Sequence, residues 1–319
     1  MGVSGRTRRR VLVTGGAGFI GSHVVARLLA DGHEVRVLDD LSVGTRDKVP
    51  AGVPLLVGDV RDAAACAAAV RDVDVVVHLA ARVTVRASVD TFVDDADINL
   101  VGTLRLIAAC QQADVSRFVF ASSMAVYADG RAGQKVDEEH PTQPLSPYGV
   151  SKLAAERIAG QVLALSGIPL TVLRFFNTFG PGQTYTPYVG VATIFATRLL
   201  KGEPVCIFGD GLQERDFVHV QDVADAVVAS LDAPAGTYNV GSGQGTNVNT
   251  MARLLIDRLA PGTVPEHLPA HPAEVRHSVA DITAAQRAFG YAPARPLASH
   301  LDEVIASVAA RLGMAPPTS

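Results

Sequence analysis

Thr14-Gly15-Gly16-Ala17-Gly18-Phe19-Ile20-Gly21 follows the apolar run Val11-Leu12-Val13 and precedes a helical pattern from Ser22 to Ala30. A glycine-rich turn between a strand and a helix lets backbone N–H groups approach a pyrophosphate at the positive end of the helix. About 20 residues further on, the strand pattern Glu34 to Leu38 ends in Asp39 and Asp40. An acidic side chain there accepts hydrogen bonds from an adenosine ribose and repels a 2′-phosphate. The stretch therefore predicts a dinucleotide site that takes NAD in preference to NADP.

Outward from this turn, short β-branched runs alternate with longer amphipathic ones. The runs Val53 to Val57, Val73 to His78, Arg117 to Ala121 and Leu170 to Phe175 read as strands, with helices between them. That alternation predicts an α/β fold, a Rossmann-type doubly wound parallel sheet covered on both faces, with ligands beyond the carboxyl ends of the strands. After Asn177 the texture changes to glycine, proline and tyrosine (Gly180 to Gly190), followed by a helix pattern from Val191 to Lys201. The chain returns to the first lobe at His219 to Leu231 and Tyr238 to Val240, and a last helix spans about Leu297 to Leu312. The expected division is a dinucleotide-binding domain over 1–178, rejoined at about 217–258, with a smaller C-terminal α/β substrate-binding lobe over 179–216 and 259–319.

Composition narrows the function classes. The 319 residues are 48% hydrophobic and 19% charged, which suits a soluble globular chain with a large core. A net charge of -4 argues against a general nucleic-acid surface, and the basic run Arg6 to Arg10 reads as a solvated tail before the first strand. No apolar run approaches the roughly 18 residues of a spanning helix, and the one after those arginines breaks at Gly15 and Gly16, against a secretory signal. Cys66, Cys110 and Cys206 are odd in number and lie in apolar segments, as reduced core thiols of a cytoplasmic protein would. No metal, membrane or nucleic-acid partner is expected.

Two further segments carry chemistry. In Tyr148-Gly149-Val150-Ser151-Lys152 the tyrosine and lysine are i and i+4 of a helix and share a face, so the ammonium is expected to favour the phenolate. Phe120-Ala121-Ser122-Ser123-Met124-Ala125-Val126-Tyr127 places two hydroxyls at the end of a strand. Serines at a strand end are commonly turn formers. Their order relative to the glycine turn and Tyr148 favours a functional role.

With these motifs the chain resembles the extended short-chain dehydrogenase/reductase superfamily, and within it the nucleotide-sugar epimerases and dehydratases. GDVRD at Gly58 to Asp62, HLAA at His78 to Ala81, Asn99 to Thr103, LRFFNTFGPGQ at Leu173 to Gln183 and RDFVHVQDVA at Arg215 to Ala224 complete the family order. The resemblance implies that Gly15, Gly18, Phe19, Ile20, Gly21, Asp39 and Asp40 hold NAD. Asp59 and Val60 would hold its adenine, and Leu79, Ala80, Ala81 and Ser122 would lie along the cofactor. Asn99 would pack behind the nicotinamide and the catalytic loop. Ser123 would hydrogen-bond the reacting sugar hydroxyl, Tyr148 would be the general acid/base, and Lys152 would bind the nicotinamide ribose. Asn177 and Arg215 would grip the nucleotide diphosphate and its ribose, with Thr84 and Phe208 also toward substrate.

The resemblance also discriminates among reactions. Dehydratases of the family carry an Asp-Glu pair where this chain has Met124 and Ala125. Loss of that second acid/base leaves reversible oxidation at one carbon, so the implied enzyme is an NAD-dependent nucleotide-sugar 4-epimerase of the UDP-glucose/UDP-galactose type, acting as a homodimer. UDP-glucuronate epimerisation and dehydration stay open as alternatives, as does a non-catalytic NAD-sensing regulator. His271-Pro272-Ala273-Glu274 replaces an Arg-x-x-Asp diphosphate segment, with Arg276 as the substitute cation. Ser278 falls where a galactose epimerase faces the C2 substituent, and a serine there leaves room for N-acetylhexosamines.

Overall fold

The computed structural model describes residues 7–83, 91–186, 190–270 and 275–315. The strands are β1 (Arg10–Thr14), β2 (Glu34–Asp39), β3 (Leu55–Val57), β4 (Val75–His78), β5 (Arg117–Ser123), β6 (Leu170–Phe175), β7 (Asn177–Phe179), β8 (Cys206–Phe208), β9 (Glu214–His219), β10 (Gly236–Val240), β11 (Gly245–Asn247), β12 (Glu266–Leu268) and β13 (His277–Ser278). The helices are α1 (Phe19–Ala30), α2 (Ala63–Ala69), α3 (Phe92–Ala96), α4 (Thr103–Cys110), α5 (Pro147–Leu165), α6 (Val191–Leu200), α7 (Val220–Ala229), α8 (Val248–Leu259), α9 (Thr283–Phe289) and α10 (Leu301–Arg311).

Seven strands form one parallel sheet in the order β10-β6-β5-β4-β1-β2-β3. The near-continuous apolar runs are explained by burial on both faces. Successive residues of a strand point to opposite faces, and the core divides accordingly. Val11, Val13, Val75 and Val77 pack with Val24 and Leu28 of α1 and Val227 of α7. Leu12, Val76, Phe118 and Phe120 pack on the other face with Cys66 of α2, Leu106 and Ile107 of α4 and Ala155 of α5. Strand order reverses between β1 and β4, and in such a sheet the crevice beyond the strand ends at that point receives the ligand.

A second sheet of four short strands has β9 at its centre, paired with β7, β11 and β13, and β8 pairs with β12. Beside them α6, α8 and α10 enclose a separate core of Phe195, Leu199, Met251, Leu255, Val304 and Val308. Within 217–258, α7 and β10 join the large sheet, whereas α8 packs into this other core. Among the described residues, no helix is long and apolar enough to cross a membrane.

Candidate active site

The carboxyl ends of the parallel strands open into a cleft of 1260 Å³. At one end lies the glycine turn. Gly15 has φ +71°, a left-handed backbone that favours glycine, and a Cβ there would lie 2.8 Å from Ala80 N. A Cβ on Gly21 would stand 2.0 Å from Gly15 O, so α1 is seated directly on the turn. The N-cap of α1 is Gly18, no side chain caps the helix, and its first turn carries no acid. Its leading N–H groups and its positive end are thus presented to an anion, which fits a dinucleotide pyrophosphate.

Asp39 ends β2, where its carboxylate accepts from Ala17 N and Leu41 N, both at 2.9 Å. It therefore ties the glycine turn to the loop that follows β2. Asp40 is exposed and accepts from Ser42 N and Oγ. Asp39→Ala is expected to weaken NAD binding and to narrow the preference over NADP, as measured by titration with both dinucleotides. A variant with the parent's preference would move that role to Asp40. Asp59 and Val60 line the same end of the cleft, with Asp59 paired to Arg61 at 2.6 Å. This guanidinium holds the Asp59 carboxyl below its ordinary pKa.

The floor of the cleft rests on a buried chain of hydrogen bonds. Ala80 N donates to Thr14 Oγ1 (3.2 Å), which lies 2.6 Å from His78 Nδ1, and His78 Nε2 is 2.9 Å from Thr103 Oγ1. Thr103 in turn donates to Asn99 O at 2.7 Å. Burial pushes His78 down to about 3, with the Lys152 charge adding in the same direction. Asn99 sits in a π-helical turn over 97–102 and clamps the backbone of Arg82, accepting from its N at 2.8 Å and donating to its O at 3.0 Å. The clamp sets the segment that follows Ala80 and Ala81.

The two serines lie at the end of β5. Ser122 Oγ is buried without a hydrogen-bond partner, at a place where a ligand's polar group would satisfy it. Ser123 Oγ accepts from Ala125 N at 3.2 Å and lies near enough to the phenol of Tyr148 to favour its ionised form. Tyr148 reaches Ser123 because Gly149 has no side chain: a Cβ there would be 2.1 Å from Ala125 O. Ser146 caps α5, accepting from Gly149 N at 3.2 Å, with Pro147 in the first turn. Tyr148 and Lys152 are both buried and line the cleft. Lys152 Nζ stands 4.3 Å from the centre of the Phe120 ring.

The electrostatics differ from the sequence expectation. Burial pushes Tyr148 up to about 12, opposed by the Ser123 hydroxyl, and burial also brings Lys152 down to about 7. Desolvation dominates at the phenol, and Lys152 is not among the groups that shift it.

At the far end, parallel pairing of β7 with β9 sets Asn177 beside Phe217, two residues beyond Arg215, and all three line the cleft. Asn177 Oδ1 is buried without a partner. Phe208 lines the same end.

Two expected substrate contacts are elsewhere. Arg276 forms a bidentate pair with Asp210 at 2.9 Å for each bond and does not line the cleft. Ser278 is buried in β13 and faces a separate small pocket with Val136 and His277, and Met124, Tyr127 and Val275 line both that pocket and the cleft. Thr84, His271 and Glu274 lie outside the described residues.

Sequence reasoning passed over His78, Gly149 and Arg82. The first two stand inside quoted motifs, HLAA and YGVSK, where their neighbours drew the reading. Arg82 follows HLAA directly and lines the cleft with its guanidinium 3.2 Å from both Asp94 and the buried Asp95.

Residues 11–241 match the profile of the NAD dependent epimerase/dehydratase family. The chain belongs to that family. This family member is 36% identical to a UDP-glucose 4-epimerase of Azospirillum brasilense, over 93% of its own length and 90% of the relative's. Among solved structures, the Thermus thermophilus UDP-glucose 4-epimerase complexed with NAD superposes with a TM-score of 0.88 at 38% identity, covering 94% of this chain and 98% of the other. The Thermotoga maritima UDP-glucose 4-epimerase with UDP-glucose gives 0.91 at 33% identity, covering 95% and 99%.

Proposed function

We propose that the protein is an NAD-dependent nucleotide-sugar 4-epimerase of the UDP-glucose/UDP-galactose type. The observation that carries this reading is the Tyr148–Ser123 pair at the end of β5, beside the dinucleotide turn, with Met124 and Ala125 where a second acid/base would be needed for elimination. The names of the relatives support the same substrate class.

Bound NAD supplies a hydride acceptor that later returns the same hydride. Gly15, Gly18, Gly21 and Asp39 would hold it, with Ser122 against its reactive end. Tyr148 accepts the proton of the sugar C4 hydroxyl while Ser123 hydrogen-bonds that oxygen, so proton and hydride leave together and a 4-keto sugar forms. Lys152 steadies the ribose and adds positive charge near the phenol. Asn177 and Arg215 hold the nucleotide diphosphate, the guanidinium offering two parallel donors to phosphate oxygens. Turnover of the keto sugar within the cleft then lets the hydride reach the other face.

The lobes divide by function in this reading, dinucleotide on the large sheet and nucleotide sugar against β7, β8 and β9. Since α8 packs with α6 and α10, the returning segment is shorter than 217–258 and closes after β10. A homodimer through α4 and α5 is part of the proposal, supported by the exposure of Val101, Val150 and Ile158 on that side. A cytoplasmic setting suits the buried thiols Cys66 and Cys110, which burial pushes up to about 11 and about 12.

The experiment is incubation of purified protein with UDP-glucose, UDP-N-acetylglucosamine and UDP-glucuronate in the absence of added NAD, followed by chromatography. The expected result is interconversion of UDP-glucose and UDP-galactose with NAD retained on the protein and no accumulation of NADH. Stoichiometric NADH release would indicate a dehydrogenase, a 4-keto-6-deoxy product a dehydratase, and NAD binding without any turnover a regulator. The pocket at Ser278 is closed off by Met124, Tyr127 and Val275 and is too small for a water-sized group, against the expectation of room for an N-acetyl group there, so use of N-acetylhexosamines would require those side chains to move.

A further inference from the structure

Four side chains from outside the cleft converge on the backbone of one loop in its wall. Residues 180–186 follow β7, and Gln183, Thr184, Tyr185 and Thr186 line the cleft together with Gly18 and Phe19 at the start of α1 and with Ser42, Val43 and Gly44 after β2. From the dinucleotide lobe, His23 Nε2 on α1 donates to Pro181 O and Lys48 Nζ donates to Gly182 O, both at 3.1 Å. From the other lobe, Ser307 Oγ on α10 accepts from Gly182 N at 2.9 Å, and Arg311 Nη1 at the end of α10 donates to Gln183 O at 2.8 Å. The loop is therefore tied to both lobes within three residues.

Its course crosses the end of the cleft that suits a dinucleotide. His23 is one helical turn beyond Phe19, and the two rings meet edge to face at 6.1 Å. The loop thus lies against the first turns of α1, whose leading N–H groups suit a pyrophosphate. On the far side Arg311 is anchored by Nη2 to Thr197 Oγ1 of α6 (3.1 Å), and its guanidinium stands 5.9 Å from the centre of the Tyr185 ring. Gln183 Oε1 accepts from Thr193 Oγ1, also of α6, at 2.8 Å.

None of residues 181–186 belongs to any of the three apolar clusters. Polar bonds rather than burial hold the loop in place, and segments held in that way open at low cost in free energy. His23, Lys48, Ser307 and Arg311 do not themselves line the cleft, so they act on its contents only through the loop.

We propose that residues 180–186 are a strap across the dinucleotide end of the cleft, and that Lys48 and Arg311 are positioning residues that set how often it opens and so how fast NAD enters and leaves. The use of such a strap rests on the epimerase reading above, in which the hydride taken from the sugar is returned by the same cofactor molecule. The cofactor must then stay in place between the two half-reactions. The fastening bonds join protein to protein and not protein to NAD. Loosening them lowers the barrier in both directions and leaves the affinity nearly unchanged.

The test mixes NAD-loaded protein with an excess of isotopically labelled NAD and follows exchange on the protein by mass spectrometry, with affinity read from equilibrium dialysis of the same protein. In Lys48→Met/Arg311→Met both donors are lost while most of the side-chain length is kept. NAD should leave about ten times faster than from the parent, with the dissociation constant and the melting temperature nearly unchanged. Ser307→Ala is the milder change; it should speed release in the same direction, and it carries the test if the double variant does not fold. Arg258→Met removes bonds from α8 to Asp302 and Ala298 without touching the loop, and should release NAD at the parental rate. Unchanged release from a folded double variant overturns the proposal. So does faster release matched by an equal loss of affinity, which would make the two cations direct partners of the dinucleotide, and so does equal acceleration in Arg258→Met, which would point to general loosening of α10. Exchange needs no nucleotide sugar, so a parent that epimerises none would overturn the functional reading and leave this result standing.

Discussion

Tyr148→Phe is expected to reduce turnover by about 10²- to 10⁴-fold while leaving NAD binding and the melting temperature near those of the parent. The ring is buried and its packing is retained, whereas the hydroxyl that meets Ser123 is lost. In the proposed reaction that oxygen, as the phenolate, takes the proton of the sugar hydroxyl. The measurement is steady-state kinetics on the UDP-hexose pair, with NAD content read from the denatured protein. A variant that turns over at the parental rate would move the acid/base role away from α5.

Gly21→Ala should have the largest structural effect of any single methyl group considered. The added Cβ would meet Gly15 O at 2.0 Å and Gly16 Cα at 2.7 Å, and both are backbone atoms of the turn. Neither can rotate aside, so α1 must lift from β1 or the turn must open. Overpacking of this kind costs about 3 kcal/mol, and it also displaces the N–H groups that would face a pyrophosphate. The expected outcome is a protein that melts well below the parent and purifies without NAD. Thermal melting and dinucleotide content decide it, and a variant that keeps both would show that the turn is looser than its geometry indicates.

The sheet was legible because its central strands are buried on both faces, which writes an unbroken apolar run such as Val75-Val76-Val77 into the chain. The glycine turn and the Tyr148–Lys152 spacing were legible because both depend on contacts within a few residues. The second sheet was not. Its strands are two to six residues long and include Asp216, which is fully buried and accepts hydrogen bonds from Ser242 and Gly243. A buried charge satisfied by a distant loop looks, in sequence, like a surface residue. Arg276 illustrates the same limit. Its preference for Asp210, 66 residues away, follows from the pairing of β13 with β9. The high pKa of Tyr148 was hidden too, because proximity to Lys152 can be read from spacing and desolvation cannot.

The chain of hydrogen bonds beneath the cleft has only one way to arrange its protons. Thr103 Oγ1 gives its proton to Asn99 O and so receives from His78 Nε2, and the neutral ring then has a bare Nδ1, which accepts from Thr14 Oγ1, while Thr14 Oγ1 accepts from Ala80 N. His78 is thereby fixed as a single tautomer, and no alternative of equal energy exists for the row to flip into. Dipoles that cannot flip do not relax around a new charge. If the proposed reaction builds negative charge on a sugar oxygen in the cleft above them, these groups present an unchanging field, and the reorganisation that opposes reaction in water has no counterpart in this row.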